Sequence, residues 1–528
     1  MFEVKATDLA GRIGQLTTKS GILETPSLLP VIHPSRQTLP AGTIKDLGFQ
    51  AVITNAYIAK KNCSNVSRKK GIHKTIGFDG IVMTDSGGYQ VLEYGDINAS
   101  PESMTIFQEE IGSDIAVVLD QPTGVRISRR YAEKTVKETL KAAKKTLETK
   151  SKKDILWVGP IQGGIHLDLV SQSALEISRM NFDILALGSP TEIMKSYQFK
   201  LLSSMVIAAK KKIPVNMPLH LFGAGHPLTI PLAISLGCDL FDSASYMLYA
   251  REDRYFTDSG TTRIEDLTYL NCSCPFCSSH SLKDILDLEK EKRIDVIALH
   301  NLHVLMKTVK ESKEAIREGR LWEYLGSKAR CHPRLWEAFR SLSEHIDYLE
   351  DGSSLFKSKA VFFTEQIDHV RPEVKHHRTR LEHNIEFSKP ILLLLPEVEV
   401  RPFYNSPLYA SISKVLMERR NKVQVCFIVP TLGVIPLEIS DIYPLSQYES
   451  SFKPDSCPDI SEAVIEDVER IINSNAIIEI VMLVDGVFSR NLAEKIQVGR
   501  SISIVEAENG DFQKTTQKLI ERLRMIEP

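Results

Sequence analysis

Between residues 51 and 241 a series of short apolar runs recurs, with longer amphipathic stretches between them. The runs are 51–54, 81–84, 115–119, 155–161, 183–187, 219–222 and 239–241, and 129–149 and 168–179 are helix-like segments between them. Apolar strands that lack polar alternation are buried on both faces, and intervening helices supply the cover, so the pattern predicts a parallel sheet. Seven or eight such units fill the roughly 250 residues of a (β/α)8 TIM-type barrel. An open, doubly wound sheet satisfies the periodicity equally well. The polar residues separate the two, because Asp85, Asp120, Gln162, Gly188, Gly223 and Asp242 all fall at or near the carboxyl ends of expected strands. In a closed barrel those ends converge on one face, where active sites are built.

A second feature is the run Asn-Cys-Ser-Cys-Pro-Phe-Cys, which holds Cys272, Cys274 and Cys277. Three thiolates this close repel one another unless a cation offsets their charge. With one imidazole they form a Cys3His set, which suits tetrahedral Zn2+ with no open position and therefore a structural role. Binding such a metal contributes folding energy. His280, His300 and His303 are rival fourth ligands, and the residues alone do not choose among them. The other cysteines (Cys63, Cys238, Cys331, Cys426, Cys457) are scattered, which argues against a disulfide framework and for a reducing cytoplasm.

Residues 281–350 read as helical, and Asp351-Gly352-Ser353-Ser354 breaks the pattern. Apolar runs at 391–396, 423–429 and 477–484 then alternate with helix-like segments at 407–420, 462–473 and 512–525. The expected organisation is a catalytic barrel over 1–350 with a zinc-binding insertion at about 265–310, a polar linker over 351–388 and a smaller accessory α/β domain over 389–528. Net charge is −2 with 25% charged residues, so any nucleic-acid surface must be a local basic patch. Candidates are Arg68-Lys69-Lys70, Arg129-Arg130, Lys210-Lys211-Lys212 and Lys375-His376-His377-Arg378. The amino terminus shows no signal-peptide apolar core, and no apolar run approaches the roughly 20 residues of a membrane span, so a cytoplasmic protein without a membrane partner is expected.

Two aspartates carry the functional reading. Asp85 closes Ile81-Val82-Met83-Thr84 and opens Asp-Ser-Gly-Gly-Tyr-Gln; Asp242 closes Leu240-Phe241 and opens Asp-Ser-Ala-Ser-Tyr. A lone aspartate there would usually cap the next helix. With Phe-Asp-Ser-Ala-Ser-Tyr-Met-Leu-Tyr-Ala-Arg (241–251), Gly-Pro-Ile-Gln-Gly-Gly (159–164), His-Leu-Phe-Gly-Ala-Gly-His-Pro (220–227) and the cysteine run, residues 1–345 resemble the archaeal tRNA-guanine transglycosylases. The resemblance also implies a barrel, with the metal segment near its last unit. Its His-Asn-Leu triplet selects His300 as the fourth ligand of one Zn2+ per chain.

The resemblance further implies Asp242 as nucleophile and Asp85 as general acid/base in a double displacement through a covalent Asp-ribosyl intermediate. It implies Asp120 and Gln162 as readers of the guanine edge, Gly188 and Ser189 as the loop along that edge, Tyr89 as a stacking residue and Phe222 on the other face of the base. The implied reaction replaces guanine 15 in the tRNA D-arm by 7-cyano-7-deazaguanine (preQ0), in archaeosine biosynthesis. Two other readings are a wobble-position, queuine-type transglycosylase and a non-catalytic tRNA-binding subunit. The latter should have lost a catalytic carboxylate, whereas this chain keeps both. A homodimer is expected. Ser-Pro-Thr-Glu (189–192) replaces a more apolar loop of the family, and Pro190 has no N–H to donate. The helical run 515–525 stands where a PUA-type RNA-binding module is common in the family, so two alternatives are open: the module is absent, or a separate polypeptide supplies it as a partner.

Overall fold

A computed structural model describes residues 2–88, 99–451, 458–474, 477–496, 501–508 and 511–526. The chain divides into two compact units, Met1–Ser353 and Ser354–Pro528. The first opens with an antiparallel sheet of β1 (Phe2–Asp8), β2 (Gly11–Thr18) and β3 (Gly21–Thr25). Eight parallel strands follow: β4 (Ser27–Ile32), β5 (Ala51–Asn55), β6 (Ile81–Asp85), β7 (Ile115–Val117), β8 (Leu156–Ile161), β9 (Ile184–Leu187), β10 (Leu219–Leu221) and β11 (Leu240–Ser243). They pair in chain order, and β11 closes on β4 through Leu240↔Ser27 to Ser243↔Pro30. The expected (β/α)8 barrel is therefore present, and the open-sheet alternative is excluded by that closing ladder.

Barrel strands fill the interior with alternate residues. Ala51 and Ile53, Ile81 and Met83, Ile115 and Val117, and Ile184 and Ala186 form one buried cluster with Leu29, Val158 and Leu240. Leu16 and Leu23 of the amino-terminal sheet belong to the same cluster, so that sheet packs onto the barrel core. Arg12 of β2 and Asp239, which precedes β11, form a buried bidentate pair through Nε (2.7 Å) and Nη2 (2.8 Å). The outer helices include Arg129–Thr149, capped by Ser128, and Leu167–Ser178.

After β11 come the hairpin β12 (Arg254–Thr257) and β13 (Gly260–Arg263) and the long helix Lys290–Glu318, which ends on left-handed Gly319. The second unit contains β14 (Val361–Phe363), β15 (Ile391–Pro396), β16 (Val423–Val429), β17 (Gly433–Pro436), β18 (Tyr448–Ser450), β19 (Glu479–Val484) and β20 (Ser501–Glu506). Its main sheet runs β17-β16-β15-β19-β20, parallel except for β17, with an apolar cluster on each face. In the stretch 351–388, β14 pairs with β18, and the helix Pro372–His383 buries Val374, His377 and Leu381. No helix among the described residues is long and apolar enough to cross a membrane.

Candidate active site

The pleat that fills the barrel also builds its mouth. Side chains two residues apart share a face. One repeat beyond the interior residues Ile53, Met83 and Leu240 stand Asn55, Asp85 and Asp242, all lining a cavity of about 730 Å³. Asp120, Gln162, Gly188, Ser189 and Phe222 line the same cavity. Every site residue expected outside the metal cluster is thus assembled there, except Tyr89, which lies outside the described residues.

Asp85 accepts a hydrogen bond from Asn55 Nδ2 at 2.9 Å, across the β5–β6 register pair Asn55↔Asp85. Asn55 Oδ1 meanwhile caps the helix Ala56–Lys70 by accepting from Ile58 N. Protein walls withhold water from Asp85, and Asp120 and Asp242 add negative charge, so its pKa is pushed up to about 7. Desolvation likewise pushes Asp120 up to about 6, against a hydrogen bond from Gln162.

Gln162 is buried and rigidly oriented. Its Oε1 accepts from Thr123 N (2.9 Å), Thr123 Oγ1 (2.8 Å) and Ser189 Oγ (3.2 Å), while Nε2 donates to Asp120 Oδ2 at 2.5 Å. With its oxygen saturated, the amide keeps one N–H to offer. Ser189 has φ +64, in the left-handed region, and its hydroxyl also accepts from Thr123 N and Gly124 N. That hydroxyl therefore pins the loop after β7 to the loop after β9. Two glycines make room: a Cβ on Gly88 would lie 2.1 Å from Asp120 Oδ1, and one on Gly188 2.2 Å from Gln162 Nε2.

Asp242 Oδ1 lies 2.8 Å from His220 Nε2 and accepts from Gly223 N at 3.1 Å. Phe222 stacks at a tilt against His220, with centroids 4.7 Å apart. No Lys or Arg side chain donates to Asp85, Asp120 or Asp242 among the hydrogen bonds of the described residues.

The candidate ligand atoms of Cys272, Cys274, Cys277 and His300 lie within 4.8 Å of one another, close enough to hold a metal ion. His300 Nε2 is 2.8 Å from Phe256 O, so it carries the proton, and Nδ1 faces Cys277 Sγ (3.3 Å) and Cys274 Sγ (3.6 Å). Three sulfurs facing an imidazole lone pair fit a closed site for an ion such as zinc. Tyr255 stacks on His300 at 3.6 Å and contacts Cys277 Sγ through its hydroxyl at 3.2 Å. None of the four ligands lines the cavity. The next residue, Asn301, ties the cluster's helix to β12 and to the helix Ser245–Arg251 that follows β11. Its amide accepts from Phe256 N and donates to Tyr246 O and Arg254 O.

A family model described as queuine tRNA-ribosyltransferase matches residues 8–334, the span that contains the barrel and the cysteine cluster. The chain belongs to the tRNA-guanine transglycosylase family. Curated tRNA-guanine(15) transglycosylases of archaea are similar along most of its length. The protein from Methanocaldococcus jannaschii is 40% identical over 461 residues, 85% of this chain and 68% of that protein. Those from Sulfolobus acidocaldarius (40% over 454 residues, 85% of this chain and 88% of that protein) and Saccharolobus solfataricus (41% over 486 residues, 90% and 94%) extend the likeness. A domain of unknown function matches 374–526. For this transglycosylase-family chain, sequence reasoning did not single out Asn55, Thr123 or His220. Only Asn55 carried a signal, an asparagine between an apolar strand and a helix. Thr123 and His220 gain their meaning from neighbouring strands.

Proposed function

We propose that this chain is a tRNA-guanine(15) transglycosylase that exchanges guanine for preQ0, in archaeosine biosynthesis. The observation that carries the reading is one cavity presenting Asp85 and Asp242 beside an Asp120–Gln162 pair. Asp242 attacks C1′ from the face opposite the base. The C1′–N9 bond breaks as a C1′–O bond forms, and Asp85 gives its proton to the departing guanine. The incoming base returns a proton to Asp85 and displaces Asp242, so configuration is retained. A carboxyl held at about 7 is matched to giving and taking a proton near neutral pH.

Recognition follows from the saturation of Gln162. Asp120 accepts from the amino and ring N–H groups of the guanine edge, and Gln162 offers its remaining N–H to the carbonyl. A base lacking that edge leaves buried polar groups unpaired, which discriminates strongly. Gly188 and Ser189 set the loop along the base, Tyr89 stacks on it, and Cys272, Cys274, Cys277 and His300 hold one structural Zn2+. Homodimerisation and a separate PUA-type RNA-binding polypeptide complete the proposed partners.

The test is incubation with labelled guanine or preQ0 and tRNA transcripts. Label should enter a transcript with guanine at position 15 and should not enter one altered there, whatever the wobble base. Incorporation that follows the wobble base would replace this reading by the queuine-type one. No incorporation into any tRNA by folded, metal-loaded protein would leave a binding subunit.

A further inference from the structure

Among the described residues, His220 is the one fully buried imidazole whose ring reaches a cavity-lining carboxylate, and nothing in the proposed chemistry uses it. It sits on β10 opposite Leu240 of β11, and Asp242 lies one pleat repeat further along β11. Its Nε2 is 2.8 Å from Asp242 Oδ1, while Nδ1 has no hydrogen-bond partner among the described residues. A carboxylate can only accept, so the ring proton belongs on Nε2. The other tautomer would set two acceptors face to face and bury an unsatisfied donor at Nδ1. Gly223 N donates to the same oxygen. Oδ1 therefore holds two donors, and Oδ2 has none among the described residues.

We infer that His220 is a positioning residue that fixes which oxygen of Asp242 reacts. With Oδ1 tethered, Oδ2 forms the bond to C1′ as the bond from C1′ to the base breaks. In the resulting ester Oδ2 is the bridging oxygen and Oδ1 the carbonyl oxygen. When the incoming base attacks C1′, the C1′–Oδ2 electron pair returns to the carboxylate, and the two donors on Oδ1 stabilise the charge that reappears. Phe222, stacked against the imidazole, and full burial hold the ring so that the carboxylate cannot spin about χ2. The inference rests on the proposed role of Asp242.

Purified full-length H220L, H220Q, H220N and D242N proteins, metal-loaded, should be compared in guanine exchange. The amide nitrogen of Gln reproduces the reach of imidazole Nε2, and that of Asn reproduces Nδ1. H220L should lower kcat about tenfold to a hundredfold, the size carried by a hydrogen bond to an ionised group, with KM for tRNA nearly unchanged. H220Q should recover most of that loss and H220N should not. If H220L does not fold, the Gln-against-Asn contrast carries the test alone. Wild-type kcat in H220L, or equal losses in H220Q and H220N, overturns the inference. Wild-type exchange by D242N overturns the proposed role of Asp242 instead, and absence of exchange by the wild-type protein overturns the proposed function, so the failures are told apart.

Discussion

The barrel mouth and the core of the second unit both bury carboxylates, and they do so with opposite electrostatics. At the mouth, Asp85 feels the charges of Asp120 and Asp242 with no cation donating to it among the described residues, and water exclusion drives it up to about 7. In the second unit Glu373 is equally enclosed, but Arg371 binds both of its oxygens (2.7 and 3.2 Å) and Lys357 pairs with it as well. The two cations overcome desolvation and hold Glu373 well below the usual carboxylate range. Arg371 also donates to Phe362 O, which ties this cluster to β14. Burial alone therefore identifies nothing. A buried carboxylate with its counter-charge is architecture, and one left without it is poised for chemistry.

The sharpest way to break the comparison is Asp242→Ala. It should cost exchange about a thousandfold or more while the fold persists, since a nucleophile has no substitute. Wild-type protein deprived of acceptor base should accumulate a covalent RNA adduct that the variant lacks. Near-normal exchange by the variant would reduce the mouth to another structural cluster.

Asp85→Asn should lower kcat about a hundredfold to ten-thousandfold with tRNA binding retained, because the lesion is in proton transfer. Wild-type kcat should fall as pH rises above about 7, where Asp85 loses the proton it donates, and the variant should lack that limb. Its stability should move the other way. A carboxyl whose folded pKa is raised favours folding less once pH exceeds its unfolded value, so Asp85→Asn should raise Tm at neutral pH. Binding that falls as far as the rate, with no gain in Tm, would make Asp85 a structural residue.

The Cys3His cluster, in the proposed reading, belongs with architecture. Cys274→Ser, or chelation, should release about one zinc per chain and lower Tm by roughly 10 °C or more, since the binding energy of a closed site is folding energy. Exchange should fall only as the folded fraction falls. A metal-free preparation of normal stability would remove the cluster from this class.

Glu373→Gln is the mirror of Asp85→Asn. It removes the negative charge that faces two buried cations and should cost about 3–5 kcal/mol of second-unit stability with kcat per folded molecule unchanged. The depressed pKa of Glu373 means its contribution is fully present above about 4.3, the unfolded value, and is lost as pH falls further. The variant should lose that part of the acid sensitivity. A rise in Tm would show that desolvation outweighs the pairing.

These contrasts mark what a sequence displays. Strands such as Ile81–Asp85 were legible because burial on both faces leaves a continuous apolar run, and Asp85 and Asp242 because each ends one. The cysteine triplet was legible because its ligands are local. The first barrel strand, Ser27–Ile32, was not among the runs: Pro30 interrupts it, and its ladders with β5 and β11 make it a strand. Within 351–388 the fold comes from pairing with residues far along the chain, as in Val361↔Tyr448, and a polar segment gives no local sign of that. His220 showed only as the first residue of the 220–227 motif and not as a partner of Asp242, which lies on the next strand.

The smallest expected effect probes the line between the two kinds of cluster inside the mouth itself. Gln162 is architecture, through Thr123 and Ser189, and in the proposed reading it is also recognition, through its spare N–H. A methyl on Gly188 would press within 2.2 Å of Nε2 and 2.8 Å of Cδ, while the oxygen side of the amide is held by three donors. The amide must tilt away from the base rather than leave. Gly188→Ala should therefore raise KM for guanine about tenfold, a shift of one hydrogen bond's size, with kcat at saturating base close to wild type. Unchanged KM would mean that the spare N–H is not used in recognition, and that Gln162 serves only to hold Asp120. A fall in kcat without a change in KM would place Gln162 in the chemical step instead.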